Sequence, residues 1–265
     1  MNRDNIIITA SHINSLPTQI LVEFLRRKDI KIHSVITVSI FQGKRIKRIL
    51  KNYDFAYLIN KVKEAIFSNQ KFNKNLLLKD LANDMNFTPN GLKKWCKKYK
   101  VNLLTVNDIN SDKSINYIKK INNRIILYSG GGIFKKNFLK ECKIIINAHA
   151  GPLPEIRGIN AAEWSLITNC RSEITVHFIN EGIDTGDIIK SYLYDRSKCK
   201  NISNLREKAI ITGIKGLVDV IENKLYKKIK IKKIIKPANL SKQYYAMSPL
   251  LKNFIDSKIS KRLCS

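Results

Sequence analysis

The sequence predicts an α/β fold: an open, mostly parallel twisted sheet with helices on both faces, followed by a small C-terminal extension. Two observations predict it. Short runs at residues 6–9 and 144–146 are apolar on successive positions, as strands covered on both sides require. The opening of the chain reads strand, helix, strand, and such a unit implies a right-handed crossover between parallel neighbours. At 265 residues the chain is long enough to bury a large core, as one long domain or a domain with an appendage.

Taken in order, residues 6–9 form the first strand. Ser15 is placed as an N-cap with Pro17 in the first helical turn, and Ile20, Leu21, Phe24 and Leu25 recur at helical spacing. Arg26, Arg27 and Lys28 close that helix where cations suit its C-terminus, and residues 31–38 form the second strand. Residues 43–98 are Lys/Asn-rich and read as irregular, with helical patches around 58–68 and 91–98 and a turn at Pro89-Asn90-Gly91. The basic helix around Trp95 is read as half-buried and amphipathic in preference to a nucleic-acid contact. Strands follow at 101–106 and 124–128 with a helix at 113–121 between them. Beyond the strand at 144–146 come a helix at 161–167 and strands at 173–179 and 188–193. His177, inside the first of these strands, is read as a satisfied sheet residue. The helix at 202–223 carries Leu205, Ala209, Ile210, Ile214, Leu217 and Ile221 near one face. From Lys224 the alternating basic run suggests an exposed strand or hairpin protected by its lysines. The expected division is a catalytic unit over 1–200 and an extension over 201–265.

Composition narrows the function classes. No apolar run approaches the ~20 residues of a membrane helix, and the start of the chain is too short in apolar residues for a signal segment. Cys96, Cys142, Cys170, Cys199 and Cys264 are scattered without a C-x-x-C pair, which points to reduced thiols in a cytoplasmic protein. The net charge of +28 invites a nucleic-acid reading. Residues 141–195, however, hold four basic and eight acidic side chains, so the excess lies elsewhere. It is mostly Lys in a chain also rich in Ile and Asn, and a compositional origin is preferred. The functional alternative is a basic surface that steers an anionic substrate such as tRNA or a nucleotide-sugar.

The chemistry-bearing residues concentrate between 143 and 190. Asn147 and His149 stand two apart at the carboxyl end of an apolar strand, so period-2 geometry sends both from one face. Carboxyl ends of strands are where open α/β sheets bind ligands. Gly151, Pro152 and Pro154 then turn the chain, Arg157-Gly158 follow, and Glu181-Gly182-Ile183-Asp184-Thr185-Gly186-Asp187 sets a carboxylate between glycines. Singly, each is an ordinary turn or surface residue. Ahead of them, Gly130, Gly131 and Gly132 lead into Ile133 and Phe134, and three glycines permit a close backbone approach to a flat ligand. After Ala10 the chain gives Ser11-His12-Ile13-Asn14, with no G-x-G-x-x-G or P-loop, and His12 is read as a surface residue.

As a set, Asn147-Ala148-His149, Leu153-Pro154, Arg157-Gly158 and Gly182-Ile183-Asp184-Thr185-Gly186-Asp187 resemble the formyltetrahydrofolate-dependent formyltransferases. That family includes glycinamide ribonucleotide formyltransferase, methionyl-tRNA formyltransferase and enzymes that N-formylate nucleotide-linked amino sugars. The resemblance is strong over 124–193, weak over 5–123 and slight beyond 200. It implies a Rossmann-like sheet, with N10-formyltetrahydrofolate as formyl donor and no metal. It places Asn147, His149 and Asp184 as catalytic residues. Gly132, Ile133, Phe134, Gly182 and Ile183 fall at the folate, and Arg157 and Gly158 at the acceptor, with Arg157 equally able to brace the loop. Formyl transfer to an amine needs a donor for a tetrahedral oxyanion, which Asn147 offers, and a group that carries a proton near neutrality, which His149 offers. Asp184 would orient the imidazole or relay the amine proton through water.

The acceptor is expected to be a nucleotide-linked amino sugar. The β-α turn lacks the Gly-Ser-Asn phosphate loop of the glycinamide ribonucleotide enzymes. Only 65 residues follow position 200, where the tRNA enzymes add a barrel of roughly 100, and Asn160, Glu163 and Trp164 resemble the amino-sugar enzymes. The tRNA and glycinamide ribonucleotide activities are the alternatives, and a homodimer is left open. A formyltetrahydrofolate hydrolase would use the same three residues behind an N-terminal regulatory domain. The competing class is a non-catalytic basic nucleic-acid binder, against which the intact trio of Asn147, His149 and Asp184 speaks.

Overall fold

The computed structural model describes residues 4–39, 76–229 and 242–261. Its strands are β1 (Asn5–Ala10), β2 (Ile32–Val38), β3 (Asn102–Val106), β4 (Arg124–Ser129), β5 (Ile144–His149), β6 (Ile156–Gly158), β7 (Glu173–Phe178), β8 (Ile188–Leu193) and β9 (Lys242–Tyr244). Its helices, numbered here in chain order, are α1 (Leu16–Arg27), α2 (Leu76–Asp84), α3 (Leu92–Lys98), α4 (Asp112–Lys119), α5 (Lys136–Lys140), α6 (Ala161–Ile167), α7 (Ile202–Glu222) and α8 (Pro249–Lys261). Seven strands form one sheet in the order β3-β2-β1-β4-β5-β7-β8, while β6 and β9 pair apart from it. Pairing is parallel from β3 through β5 and antiparallel for β5–β7 and β7–β8. The predicted Rossmann-like architecture is therefore present, with two antiparallel strands closing one edge.

Alternate residues of β1 feed two cores. Ile6, Ile8 and Ala10 pack with Leu21, Leu25, Trp95 and Leu217 from α1, α3 and α7. Ile7 packs with Ile118 and Phe138 from α4 and α5 on the opposite face. Both faces are thus covered, which is why the strands read as continuous apolar runs. Each fully buried Ile or Leu contributes about 1.5–3 kcal/mol relative to exposure. The chain runs β1 to β3 in one direction and then places β4 on the other side of β1. That reversal opens a crevice at the carboxyl ends of β1 and β4.

Several expectations need correction. Helix α2 lies in the stretch expected to be irregular. Its apolar positions Leu78 and Ala82 are buried four residues apart, and the Leu78 amide donates to Glu207 Oε2 on α7 at 3.2 Å. The carboxylate that accepts from this helix start comes from 129 residues away. The helical patch expected at 58–68 lies outside the described residues. Trp95 goes deeper than half-burial, at 3% exposure, and its Nε1–H donates to Glu23 Oε2 at 3.0 Å. Ile210 points outward, unlike its five companions on α7. After Asn223 the chain does not enter a strand: Lys224 turns left-handed into a 3-10 turn at Leu225–Lys227, and the Tyr226 hydroxyl donates to Asp4 at 2.7 Å. Residues 230–241, where the rest of the basic run falls, lie outside the described residues. No described helix is long and apolar enough to cross a membrane.

Glu23 ties α1 to α3. Burial alone would raise its carboxyl, but hydrogen bonds from Arg26, Trp95 and Arg27 outweigh that and hold it below the ordinary carboxylate value. A depressed folded-state value gives stability that is present at neutral pH and lost as pH falls through it. Glu23→Gln is expected to cost about 1.5–3 kcal/mol at pH 7. In denaturant titrations the difference from the parent chain should shrink as the carboxylate is protonated in acid.

Candidate active site

The site is built where β5 turns from apolar to polar. Ile145 and Ile146 are buried in the sheet, and the next outward residues on one face are Asn147 and His149. His149 is 6% exposed, so its ring nitrogens need partners. Nε2 lies 2.7 Å from the Ile156 carbonyl, which only accepts, so Nε2 carries a proton and donates. Nδ1 lies 3.4 Å from Asp184 Oδ2. The same Asp184 oxygen accepts the Gly158 amide at 2.8 Å. One carboxylate oxygen thus joins the end of β5, the β6 segment and the loop between β7 and β8.

His177 completes the cluster. Antiparallel pairing sets it directly opposite Asn147. Its Nδ1 lies 2.7 Å from the Phe178 carbonyl and therefore donates, leaving Nε2 to accept from Asn147 Nδ2 at 3.2 Å. Nε2 also lies 3.6 Å from Asp184 Oδ1. This arrangement fixes the Asn147 carboxamide with its NH2 toward the cluster and leaves its second N–H for another acceptor. Reading His177 as a satisfied sheet residue was incomplete, because its ring also fixes the Asn147 carboxamide beside Asp184. The missing information was the pairing of β7 with β5, which is invisible in either strand alone.

The loop carrying Asp184 is shaped by local contacts. Asn180 Oδ1 accepts from the Gly182 amide at 3.1 Å and the Thr185 hydroxyl at 2.6 Å, closing the turn. Asp184 takes φ 52°, a left-handed region that Asp tolerates. Arg157 Nη1 donates to the Ile183 carbonyl at 3.3 Å, so this guanidinium braces the loop. Gly158 has φ 100° and needs the absence of a Cβ, since one would fall on the Tyr244 carbonyl oxygen.

Beyond β4, Gly130, Gly131 and Gly132 all have positive φ, a backbone path that favours glycine. Nothing lies within 4 Å of a Cβ built on Gly132, and Ile133 is 73% exposed. Phe134 is buried and stacked on Phe138 at 4.5 Å, so only its backbone faces outward chemistry. Asn110 holds the segment by bonding the Ile133 carbonyl and the Lys135 amide. An ion pair of 3.8 Å between Lys136 and Glu181 brings this loop beside the Gly182–Ile183 turn. The open backbone at Gly132 is a cradle of the kind a flat ring requires.

Asn147 and His149 also line a cleft of about 710 Å³ at the strand-order reversal. Its wall includes Ser11, His12, Tyr128, Gly158, Glu163 and Arg206, and its volume is in the range of small-molecule sites. His12 is thus part of a cleft wall, half-buried, with Nδ1 accepting the Asn14 amide at 3.2 Å. Ile210 lines the same cleft, which accounts for its outward orientation. Glu163, 1% exposed, accepts from Arg206 Nε at 2.7 Å and Asn160 Nδ2 at 3.0 Å. Burial raises the Tyr128 hydroxyl above its ordinary value, the Asp184 charge adds to this and a Gly132 backbone hydrogen bond opposes it. Burial also pushes the Cys96 thiol up to about 11 and Cys142 up to about 12, which removes both as thiolate nucleophiles at neutral pH. Among the described residues no group of three or more His, Cys, Asp or Glu is gathered as a metal site.

Comparison with known proteins gives consistent matches. A family model described as formyl transferase matches residues 78–221. The methionyl-tRNA formyltransferase of Finegoldia magna is 28% identical over 143 residues, covering 52% of this chain and 45% of that protein. The chain therefore spans less than half the length of this curated relative. Among solved structures, glycinamide ribonucleotide transformylase 1 from Symbiobacterium toebii superposes with a TM-score of 0.56 at 14% identity, covering 87% of this chain and 91% of that one. An N-formyltransferase from Helicobacter canadensis, solved with folinic acid and dTDP-3-aminofucose, gives 0.53 at 13% identity, covering 91% and 71%. At such identities these two report the fold.

Gly186 tests how tightly the Asp184 loop is packed. A Cβ there would fall on the Phe178 carbonyl oxygen, so Gly186→Ala must push the loop off β7. A loss of about 1–3 kcal/mol is expected, read as a lowered thermal midpoint with the secondary structure retained.

Proposed function

Because the chain belongs to the formyl transferase family, we propose that it transfers a formyl group from N10-formyltetrahydrofolate to a primary amine. The observation that supports this most is the sharing of Asp184 Oδ2 between His149 Nδ1 and the Gly158 amide, beside a carboxamide whose donor side is fixed by His177. Bound reduced folate would supply the formyl group. Gly132, Ile133 and Phe134 would hold it through backbone groups, with Gly182 and Ile183 on the facing turn. The free N–H of Asn147 would stabilise the oxyanion that forms when the amine attacks the formyl carbon. His149, with Nε2 committed to Ile156, would take at Nδ1 the proton that the attacking amine loses and return it to N10 as the N10–formyl bond breaks and tetrahydrofolate leaves. Asp184 would orient the ring and stabilise its positive charge.

The acceptor would enter the 710 Å³ cleft, whose polar wall of Ser11, His12, Glu163 and Arg206 suits a hydroxyl-rich ligand bearing an anionic group. A nucleotide-linked amino sugar is the reading preferred, with Gly158 in the cleft wall and Arg157 acting on the Ile183 turn behind it. Methionyl-tRNA is the second reading, supported by the curated relative.

Asn147→Ala, His149→Ala and Asp184→Asn are each expected to lower kcat for formyl transfer by about 10²–10³-fold. The assay uses formyltetrahydrofolate with a panel of nucleotide-linked amino sugars, charged initiator tRNA and glycinamide ribonucleotide. Turnover confined to tRNA selects the second reading. Unchanged turnover in one variant removes that residue from the mechanism, and no turnover with any amine overturns the proposal.

A further inference from the structure

Strand β9 is far from the rest of the site in sequence, yet it runs along the segment that holds Asp184. It pairs in parallel with β6, with Gly158 opposite Tyr244. The Lys242 amide donates to the Glu155 carbonyl at 3.4 Å, and the Ile159 amide donates to the Tyr244 carbonyl at 3.2 Å. Trp164 Nε1 donates to the Tyr245 carbonyl at 3.1 Å, and the Met247 amide donates to Asn160 Oδ1 at 3.0 Å. The Trp164 and Tyr244 rings lie 4.9 Å apart, and Met247 is buried at 4% exposure among Ala162 and Ile255. Residues 242–247 therefore follow residues 155–164 along their length and are anchored at the end.

The pairing and its two flanking bonds bear directly on β6, the other contacts anchor residues 244–247 to the segment after it, and β6 delivers the Gly158 amide to Asp184. The glycine at 158 marks the closeness of the approach, because a Cβ would fall on the Tyr244 carbonyl oxygen. A three-residue strand has too few bonds of its own to hold a carboxylate to a few tenths of an ångström. None of residues 242–247 lines the cleft. We propose that residues 242–247 act as a positioning strap: by pairing with β6 they fix the Gly158 amide, and through it they hold Asp184 against His149. The proposal rests on the formyl-transfer reading for its kinetic consequence, but its structural half does not. The strap acts through other residues, so Tyr244 is a positioning residue and its backbone matters more than its hydroxyl.

The test compares Tyr244→Pro, which deletes a backbone donor and disrupts the pairing, with Tyr244→Phe, which keeps both strand and ring. Amide hydrogen exchange at Gly158 and Ile159 is measured in the full chain, together with kcat and acceptor KM. In Tyr244→Pro the Gly158 amide should exchange at least tenfold faster. Its kcat should fall by about 10²-fold, the size of effect that a misplaced catalytic group produces. Acceptor KM should rise by less than kcat falls, because Gly158 also stands in the cleft wall, and Tyr244→Phe should match the parent on all three. Faster exchange with unchanged kcat would show that the strap does not position Asp184. Unchanged exchange would show that it does not hold β6, and an equal loss in Tyr244→Phe would assign the effect to the ring. If the parent chain transfers no formyl group, the reaction assignment fails while the exchange result still decides whether the strap holds Gly158. Should Tyr244→Pro fail to fold, Trp164→Phe removes the donor to Tyr245 and carries the same comparison, with a smaller acceleration expected.

Discussion

A strand in the middle of a sheet that ends in a carboxamide and an imidazole cannot leave them unbonded. Burying a polar group without a partner costs roughly 1–3 kcal/mol by mutational measures, and β5 presents two such side chains within three residues. The surroundings of Asn147 and His149 follow from that constraint. Ile156 supplies a carbonyl to Nε2, Asp184 faces Nδ1, and His177 accepts from Asn147 across the sheet. The same few hydrogen bonds that satisfy these side chains also fix their orientation at the edge of the cleft.

Two features near this cluster differ in character. At Gly132 the backbone has positive φ and open space beside it. Asn147 and His149 also line a walled cleft in which a partly exposed Arg206 pairs with the buried Glu163. Under the formyl-transfer reading, donor and acceptor would be recognised by unlike physics near the tip of one strand. The excess positive charge is distributed over the rest of the chain and is not needed to explain either surface.

Much of the fold was legible because its signals are local. The central strands β1, β2, β4 and β5 carry short apolar runs, β7 mixes polar and apolar residues, and α1, α3, α4, α6 and α7 carry helical periodicity. What escaped depended on distant partners. Helix α2 starts on a carboxylate borrowed from α7, and the pairing of β6 with β9 joins two three-residue segments too short to register as strands. The same division holds within the site. Asn147, His149 and Asp184 were marked by spacing and by glycine-bracketed turns, whereas His177 needed the antiparallel register of β7. His12 looked superficial because nothing in its own neighbourhood announces the cleft formed by α7 across from it.

The late position of β9 has a bearing on biosynthesis. As the polypeptide leaves the ribosome, β6 emerges well before its mate, so one side of its backbone waits unsatisfied while the remaining helices are made. Such an uncapped edge is open to pairing with other extended segments. Brevity is its protection, since three residues offer a stray strand little to zip against. The nascent protein can thus assemble its large sheet early and defer this small ladder until β9 has been made.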